Sequence, residues 1–390
     1  MNQITTTHIK AETQVKASVP AKVHYPNLNA LRFFAASMVI MSHIEMLKHY
    51  DGMPSNGHYK WFDISHVAVL GVDLFYALSG FLITSLLLLE KKRFGRIAVK
   101  DFYIRRVLRI WPLYFLLLIL SFFVLPHIPF FDMPKWGDVN AHLWPSFFLY
   151  LFFLPNLQLL LYGAIPYSGQ AWSVGVEEQY YLFWPLVVNK CATVEKLKKA
   201  ILVLIGIYLA IKVFLILSPR FFPHNSFLTL MLHFFKGRFQ IDCLLIGSYF
   251  ACVNNQAKVK WLFNKYVQIA TYTAAIILMA GAYDLKNFFW EINAVLYSII
   301  IINLVNSKTS IINLDFKILD YIGKISYGMY MYHFIIITIV MRMITTKSIL
   351  MYLLVFGLTI GVSALSYELF EKKLLKLKER FARIKTQAAK

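Results

Sequence analysis

The chain has 390 residues, of which 58% are hydrophobic and only 15% charged, and its mean hydropathy is +0.57. A water-soluble domain this apolar would aggregate, so the composition excludes one of this size and calls for membrane spans, roughly ten at about 20 apolar residues each. Cys191, Cys243 and Cys252 are too few for a secreted disulfide scaffold, and no Cys/His cluster has zinc spacing, so no metal and no tightly bound cofactor is expected. The formal charge of +20 would suggest nucleic acid in a soluble protein, but here it must first be read as topology.

Residues 1–26 are polar and carry Lys10, Lys16 and Lys22 without an apolar core and cleavage site, so the first apolar run stays as a span. Apolar runs fall at 27–47, 66–89, 107–125, 145–162, 173–189, 199–217, 239–253, 266–283, 290–306, 325–341 and 348–369. The run at 145–162 is the weakest, because Pro155, Asn156 and Gln158 interrupt it. If it does not cross and the N-terminus is inside, 29 Lys and Arg lie on the inner side against nine on the outer; if all eleven runs cross, the split becomes 17 against 21. Only ten crossings satisfy the positive-inside rule.

The predicted fold is therefore an all-α integral membrane protein, a polytopic bundle of about ten transmembrane helices. The run at 145–162 is an additional re-entrant or interfacial segment on the outer side. The bundle occupies 27–371, between a cytoplasmic N-terminal segment at 1–26 and a basic cytoplasmic tail at 372–390. Both termini are expected in the cytoplasm of a cell whose inner membrane holds the protein. The positive charge becomes a collar facing anionic lipid headgroups, with no need for nucleic acid. The tail mixes Leu374, Leu375 and Leu377 with basic residues, as a surface helix or a topology anchor does. No internal repeat of the transporter kind is visible.

Ionisable groups inside spans are costly and therefore informative. Arg32 and His43 on the first span are eleven residues apart, three helical turns plus about 20°, and so share a face roughly 16 Å apart along the axis. In the second span, Gly71-Val72-Asp73-Leu74-Phe75 and Ser79-Gly80-Phe81 place Asp73 near the depth of His43, where it either pairs with the imidazole or fixes packing through an arginine. Arg105, Arg106 and Arg109 stand at the inner end of the third span, with Arg105 and Arg109 one turn apart; guanidinium forks suit phosphates, and positive-inside anchoring explains them equally. The run Trp172-Ser173-Val174-Gly175-Val176-Glu177-Glu178-Gln179-Tyr180 enters from outside with two adjacent carboxylates. Neighbours on a helix point about 100° apart, so at most one can face His43 well. Arg238 and Asp242, one turn apart, read as a local ion pair. Ser326, Tyr327 and His333 follow in Ile325-Ser326-Tyr327-Gly328-Met329-Tyr330-Met331-Tyr332-His333, with His333 near mid-membrane.

Taken together these motifs resemble the membrane acyltransferase-3 family, which O-acylates sugars, lipids and other small acceptors. The resemblance covers about 300 residues. It takes in Arg32 with His43, the Gly71–Phe75 and Ser79-Gly80-Phe81 stretches, Arg105-Arg106 with Arg109 and Pro112, Trp172-Ser173 with Glu177-Glu178-Gln179-Tyr180, and Ile325–Gly328 with His333. Tyr76, Ala77, Gly175 and Tyr332 depart from the usual residues and leave the acceptor open. The stretch after the last span is too short for the hydrolase-like domain that some relatives append, so a stand-alone form is expected. The resemblance implies that His43 is the essential histidine with Arg32 its partner, that the arginines contact an acyl-CoA donor, and that Glu177 or Glu178 belongs to the reaction centre, with Asp73 at a similar depth. A histidine can take the proton of an attacking hydroxyl, and a carboxylate on its other ring nitrogen would fix the tautomer. The implied activity is transfer of an acyl group, acetyl foremost, from cytoplasmic acyl-CoA as co-substrate to a hydroxyl of a carbohydrate or glycolipid acceptor on the outer side. The rival reading is a transporter or flippase that uses the same intramembrane charges.

Overall fold

The computed structural model describes residues 21–53, 58–59, 62–133, 139–254, 256–280, 286–306, 308–344 and 349–386. Most of the expected N-terminal segment, residues 1–20, and the last four residues of the tail lie outside this set. Fifteen α-helices are described: α1 (Leu28–Tyr50), α2 (Ile64–Phe94), α3 (Val99–Ile119), α4 (Leu143–Leu151), α5 (Pro155–Tyr162), α6 (Ala171–Lys190), α7 (Val194–Leu217), α8 (Ser226–Gly237), α9 (Ile241–Val253), α10 (Lys265–Met279), α11 (Phe289–Val305), α12 (Lys317–Lys324), α13 (Ser326–Met343), α14 (Ile349–Ser366) and α15 (Lys372–Glu379). Two minimal strand pairs complete the architecture: β1 (Ala21–Val23) runs parallel to β4 (Ile384–Thr386), and β2 (His58–Tyr59) antiparallel to β3 (Phe62–Asp63).

Length and composition allow five helices to cross a membrane: α1, α2, α3 with its continuation to His127, α7 with its continuation to Arg220, and α14 running through a π-turn into α15. The pair α12–α13, bent by 65° at Ile325, makes a sixth if taken as one span. The protein is thus a helical, multi-pass membrane protein. The other apolar runs form shorter or more polar helices, such as α9 with 13 residues and α10 with 15, each rising less than the roughly 30 Å of a hydrocarbon core. Helix α8 falls outside the apolar runs of the sequence. The segment at 145–162 is two helices, α4 of nine residues and α5 of eight, broken where Phe153 takes a left-handed backbone (φ 58). Its interrupting polar residues are buried and hydrogen-bonded: Gln158 donates to Ser146 Oγ at 3.1 Å, and Asn156 to the Arg238 carbonyl at 3.2 Å.

Helix α2 is the centre of the bundle, packed between α1 on one side and α9 and α11 on another. Small residues permit this. A Cβ on Gly80 would stand 1.9 Å from the Leu244 carbonyl oxygen of α9, and one on Gly247 of α9 would stand 2.2 Å from the Ala77 oxygen of α2. Ser248 Oγ closes the crossing with a 3.2 Å bond to the Gly80 oxygen. On the opposite flank a Cβ on Gly71 would meet the Ala35 oxygen of α1 at 2.6 Å. Close backbone approach through small residues is how helices associate where no hydrophobic driving force separates protein from lipid. The periphery is apolar, as with Leu202, Val203 and Ile207 of α7 and Leu353 and Leu365 of α14, all exposed to the lipid side.

This crossing predicts that Gly80→Ala destabilises the detergent-solubilised protein by about 1–3 kcal/mol or more, since the added methyl meets backbone that no rotamer change can move. Gly206→Ala, on α7 with open space around it, should leave the unfolding midpoint unchanged or slightly raised. Equal midpoints for the two variants in thermal unfolding would contradict the packing account.

Candidate active site

A cleft opens among α1, α2, α3, α6 and α13. Three guanidinium groups line it, Arg32 from α1 and Arg106 and Arg109 from α3, together with the Glu177 carboxylate from α6. Arg32 donates to Asn29 Oδ1 at 3.0 Å. Arg106 lies against the rings of Phe102 and Tyr181, 5.6 Å from each centroid, and its buried Nε has no hydrogen-bond partner among the described residues. The expected pairing of Arg105 with Arg109 needs correction. Arg105 turns away from the cleft, its Nη1 donating to the Phe381 carbonyl at 2.6 Å and its Nη2 3.4 Å from Glu90, so it ties the tail to α3. The tail helix α15 packs on α3 and brings Lys378 into electrostatic reach of Arg106 and Arg109. Sequence reasoning missed Lys378, because the amphipathic pattern of the tail says that it lies on a surface and not on which one.

The two adjacent glutamates part company as helix geometry requires. Glu177 faces the cleft, its oxygens accepting from Ser79 Oγ and Tyr181 Oη, each at 2.9 Å. Glu178 turns to α3 and accepts from Trp111 Nε1 at 3.0 Å. Ser79 thus gives the Ser79-Gly80-Phe81 motif a second task beside the crossing made by Gly80.

Toward its other end the cleft is lined by Tyr76, Ser173 and Tyr330, where Ser173 Oγ and Tyr330 Oη lie 2.7 Å apart. The Tyr330 main chain leads to the histidines. His333 Nδ1 is 2.7 Å from the Tyr330 carbonyl oxygen, and His333 Nε2 is 2.8 Å from His43 Nδ1. The two imidazole planes agree within 6° with centroids 5.0 Å apart, so the rings meet edge to edge through their nitrogens. Phe334 covers both, 4.5 Å from His43 and 4.7 Å from His333. His333 is wholly buried and His43 is the less buried residue of the pair; neither is among the residues that line the cleft, whose nearest lining residue in the chain is Tyr330.

The expectation that a carboxylate occupies the second ring nitrogen of His43 is also corrected, since that place is taken by His333. Asp73 lies on the far side of α2, near Asp242 of α9 and the buried Lys212–Glu291 ion pair that joins α7 to α11. Asp73 lies beside Cys243, and Asp242 beside Glu291 and Tyr208. Arg238 does not pair with Asp242; it sits over the Trp172 ring at 5.4 Å. Trp172 meets Tyr76 and Trp290 edge to face. Ser326 and Tyr327 shape the α12–α13 bend, Ser326 Oγ donating to the Gly323 carbonyl at 2.8 Å and Tyr327 Oη to that of Ile110 at 2.8 Å.

Residues 25–368 match the acyltransferase domain family, and the chain belongs to it. It is similar to the peptidoglycan O-acetyltransferase OatA of Listeria monocytogenes, 25% identical over an alignment of 384 positions that covers 91% of this chain and 56% of that protein. It is likewise similar to the O-acetyltransferase OatA of Staphylococcus aureus, 26% identical over 372 residues, 90% of this chain and 57% of that one. The chain thus spans a little over half the length of these relatives. No solved structure matches.

The divergence of the two glutamates sets an expectation for acyl transfer. Glu177→Gln removes the carboxylate that lines the cleft together with Arg32, Arg106 and Arg109, and should lower turnover by about tenfold or more. Glu178→Gln should stay within about threefold of the parent, because that side chain is turned to Trp111. Equal modest losses in both variants would assign the pair to helix packing alone.

Proposed function

Taking the chain as a member of this family, we propose that it is a membrane O-acyltransferase that moves an acyl group, acetyl foremost, from cytoplasmic acyl-CoA to a hydroxyl of a saccharide or glycolipid on the outer side of the inner membrane. The acceptor class follows the relatives, whose names state O-acetyl transfer and, for the Listeria protein, peptidoglycan. One observation carries the donor assignment. The wall of the cleft carries three guanidinium groups and one carboxylate, Glu177, in the low-dielectric interior, with Glu178 near Arg106 and Glu371 near Arg109, and an anionic ligand such as the phosphates of acyl-CoA suits that cationic lining. Arg32, Arg106 and Arg109 hold those phosphates, with Lys378 of the tail at the cytoplasmic mouth, and the acyl arm extends past Tyr330 toward the histidines. With the N-terminus inside and an even number of crossings, the basic end of α3 and the tail share the cytoplasmic face, as the donor requires.

On this reading His43 is the general base. The acceptor oxygen attacks the thioester carbon as its proton passes to the free nitrogen of His43; the C–S bond then breaks, and the imidazolium returns the proton to the departing thiolate, so an ester and a free thiol result. No covalent enzyme intermediate is required, and none of the residues described as lining the cleft is a cysteine.

Purified protein with radiolabelled acetyl-CoA and an N-acetylglucosamine oligosaccharide tests the reading, with label appearing on the sugar; a carrier without transferase activity would leave it on CoA. His43→Ala should reduce kcat by about 10² to 10⁴ while sparing acetyl-CoA binding. The Arg106→Ala, Arg109→Ala double variant should do the reverse and raise KM for acetyl-CoA by about tenfold or more with kcat little changed, because phosphate contacts remote from the reacting carbon supply uniform binding. Unchanged acetyl-CoA affinity in the double variant, measured by calorimetry with a non-hydrolysable analogue, would remove the donor from this cleft.

A further inference from the structure

We infer that His333 is a positioning residue that sets the protonation pattern of His43, making Nε2 of His43 the atom that accepts the proton. The inference rests on the proposed base role of His43 and extends it to a partner 290 residues away in the chain. A carbonyl oxygen can only accept a hydrogen bond, so the nitrogen of His333 facing the Tyr330 oxygen at 2.7 Å carries hydrogen. In a neutral imidazole the other nitrogen is then bare, and Nε2 of His333 must accept. The nitrogen it faces at 2.8 Å, Nδ1 of His43, consequently carries the hydrogen, and Nε2 of His43 keeps its lone pair. That nitrogen makes no hydrogen bond to a described residue, and it belongs to the more exposed of the two rings.

A histidine side chain released from such a partner favours the opposite tautomer, with hydrogen on Nε2, which cannot serve as a base at that atom. His333 thus shifts His43 toward the reactive form and holds its ring plane, with Phe334 packed on both rings to keep competing water from the N–H···N contact. The anchor is a main-chain carbonyl of the helix that carries His333, and Tyr330 itself donates through its hydroxyl to the Gln170 carbonyl at 3.0 Å, so the chain of contacts ends on α13 and the start of α6.

Two measurements decide the matter. In ¹⁵N-histidine NMR of the full chain in nanodiscs, with His43 assigned by its disappearance in His43→Gln, Nδ1 of His43 should show a pyrrole-type shift and Nε2 a pyridine-type shift at neutral pH. A proton on Nε2 overturns the inference whatever the activity. In the acetyl-CoA and N-acetylglucosamine oligosaccharide assay, His333→Phe keeps the ring volume without an acceptor and should lower kcat by about tenfold or more, with KM for acetyl-CoA within about twofold. His333→Gln, whose amide can accept from His43 and donate to Tyr330, should recover most of that loss. A His333→Phe variant with kcat within about twofold of the parent, alongside an inactive His43→Ala, overturns the positioning role and leaves the base standing. An active His43→Ala removes the base itself. If His333→Phe does not fold, the spectrum of the parent protein alone decides between the two tautomers.

Discussion

In hydrocarbon every polar group must find its partner inside the protein, and here that requirement falls chiefly on one helix. Helix α2 is held between neighbours that touch its backbone, which is possible only because Gly71, Gly80 and Gly247 leave no Cβ in the way. So enclosed, it can present polar side chains in two directions. Ser79 faces α6 and binds Glu177, while Asp73, six residues earlier and therefore about 240° around the helix, faces α9 and α11. The glycines and the polar residues of these motifs are two sides of one arrangement, since the close crossings provide the enclosure that makes the buried polar groups tolerable.

The two faces of α2 gather opposite kinds of ionisable group. On one, Arg32, Arg106 and Arg109 share Glu177; on the other, Asp73, Asp242 and Glu291 share Lys212. Guanidinium groups predominate in the cleft and carboxyl groups behind it, with one helix between them. The difference lies in access. The cationic face lines an open cleft beside the tail, whereas the acidic face is closed by α7, α9 and α11. An anionic ligand can complete the first, while the second is a closed polar core that joins four helices and is fastened by the Lys212–Glu291 pair.

Much of this was legible in the sequence. Hydropathy located α1, α2, α3, α7 and α14, and the polar interruptions at Pro155, Asn156 and Gln158 separated the broken α4–α5 segment from the crossing helices. The 100° rule foresaw that Glu177 and Glu178 would diverge, but it aimed one of them at His43, whereas Glu177 faces the cleft and Glu178 faces Trp111. What depth and spacing could not supply was azimuth. Asp73, expected near the depth of His43, instead lies beside Asp242 and the Lys212–Glu291 pair, and Arg105 shares a face with Arg109 in principle but is drawn off by Glu90 and the Phe381 carbonyl. The contact between His43 and His333 joins residues 290 positions apart and depends on the crossing of α1 and α13, which no local pattern encodes. Spacing along a helix identifies the residues that bear chemistry, whereas their partners depend on how helices far apart in the chain are turned toward one another.

The identity of the histidine's partner bears on how the proposed reaction must proceed. A carboxylate in that place would fix the same tautomer and stabilise the imidazolium by charge, but it would add a further buried anion whose desolvation costs several kcal/mol. A neutral imidazole anchored on a carbonyl orients His43 without that cost, and in exchange offers only a dipole to the cation that forms when the proton arrives. A protonated His43 facing a neutral ring is therefore short-lived in this interior, and the most direct way to discharge it is to hand the proton on at once to the thiolate released by the same attack. The arrangement thus favours a donor and an acceptor bound together at His43, with proton uptake and thiol release closely coupled, over a stepwise path that would leave a buried imidazolium waiting for its second substrate.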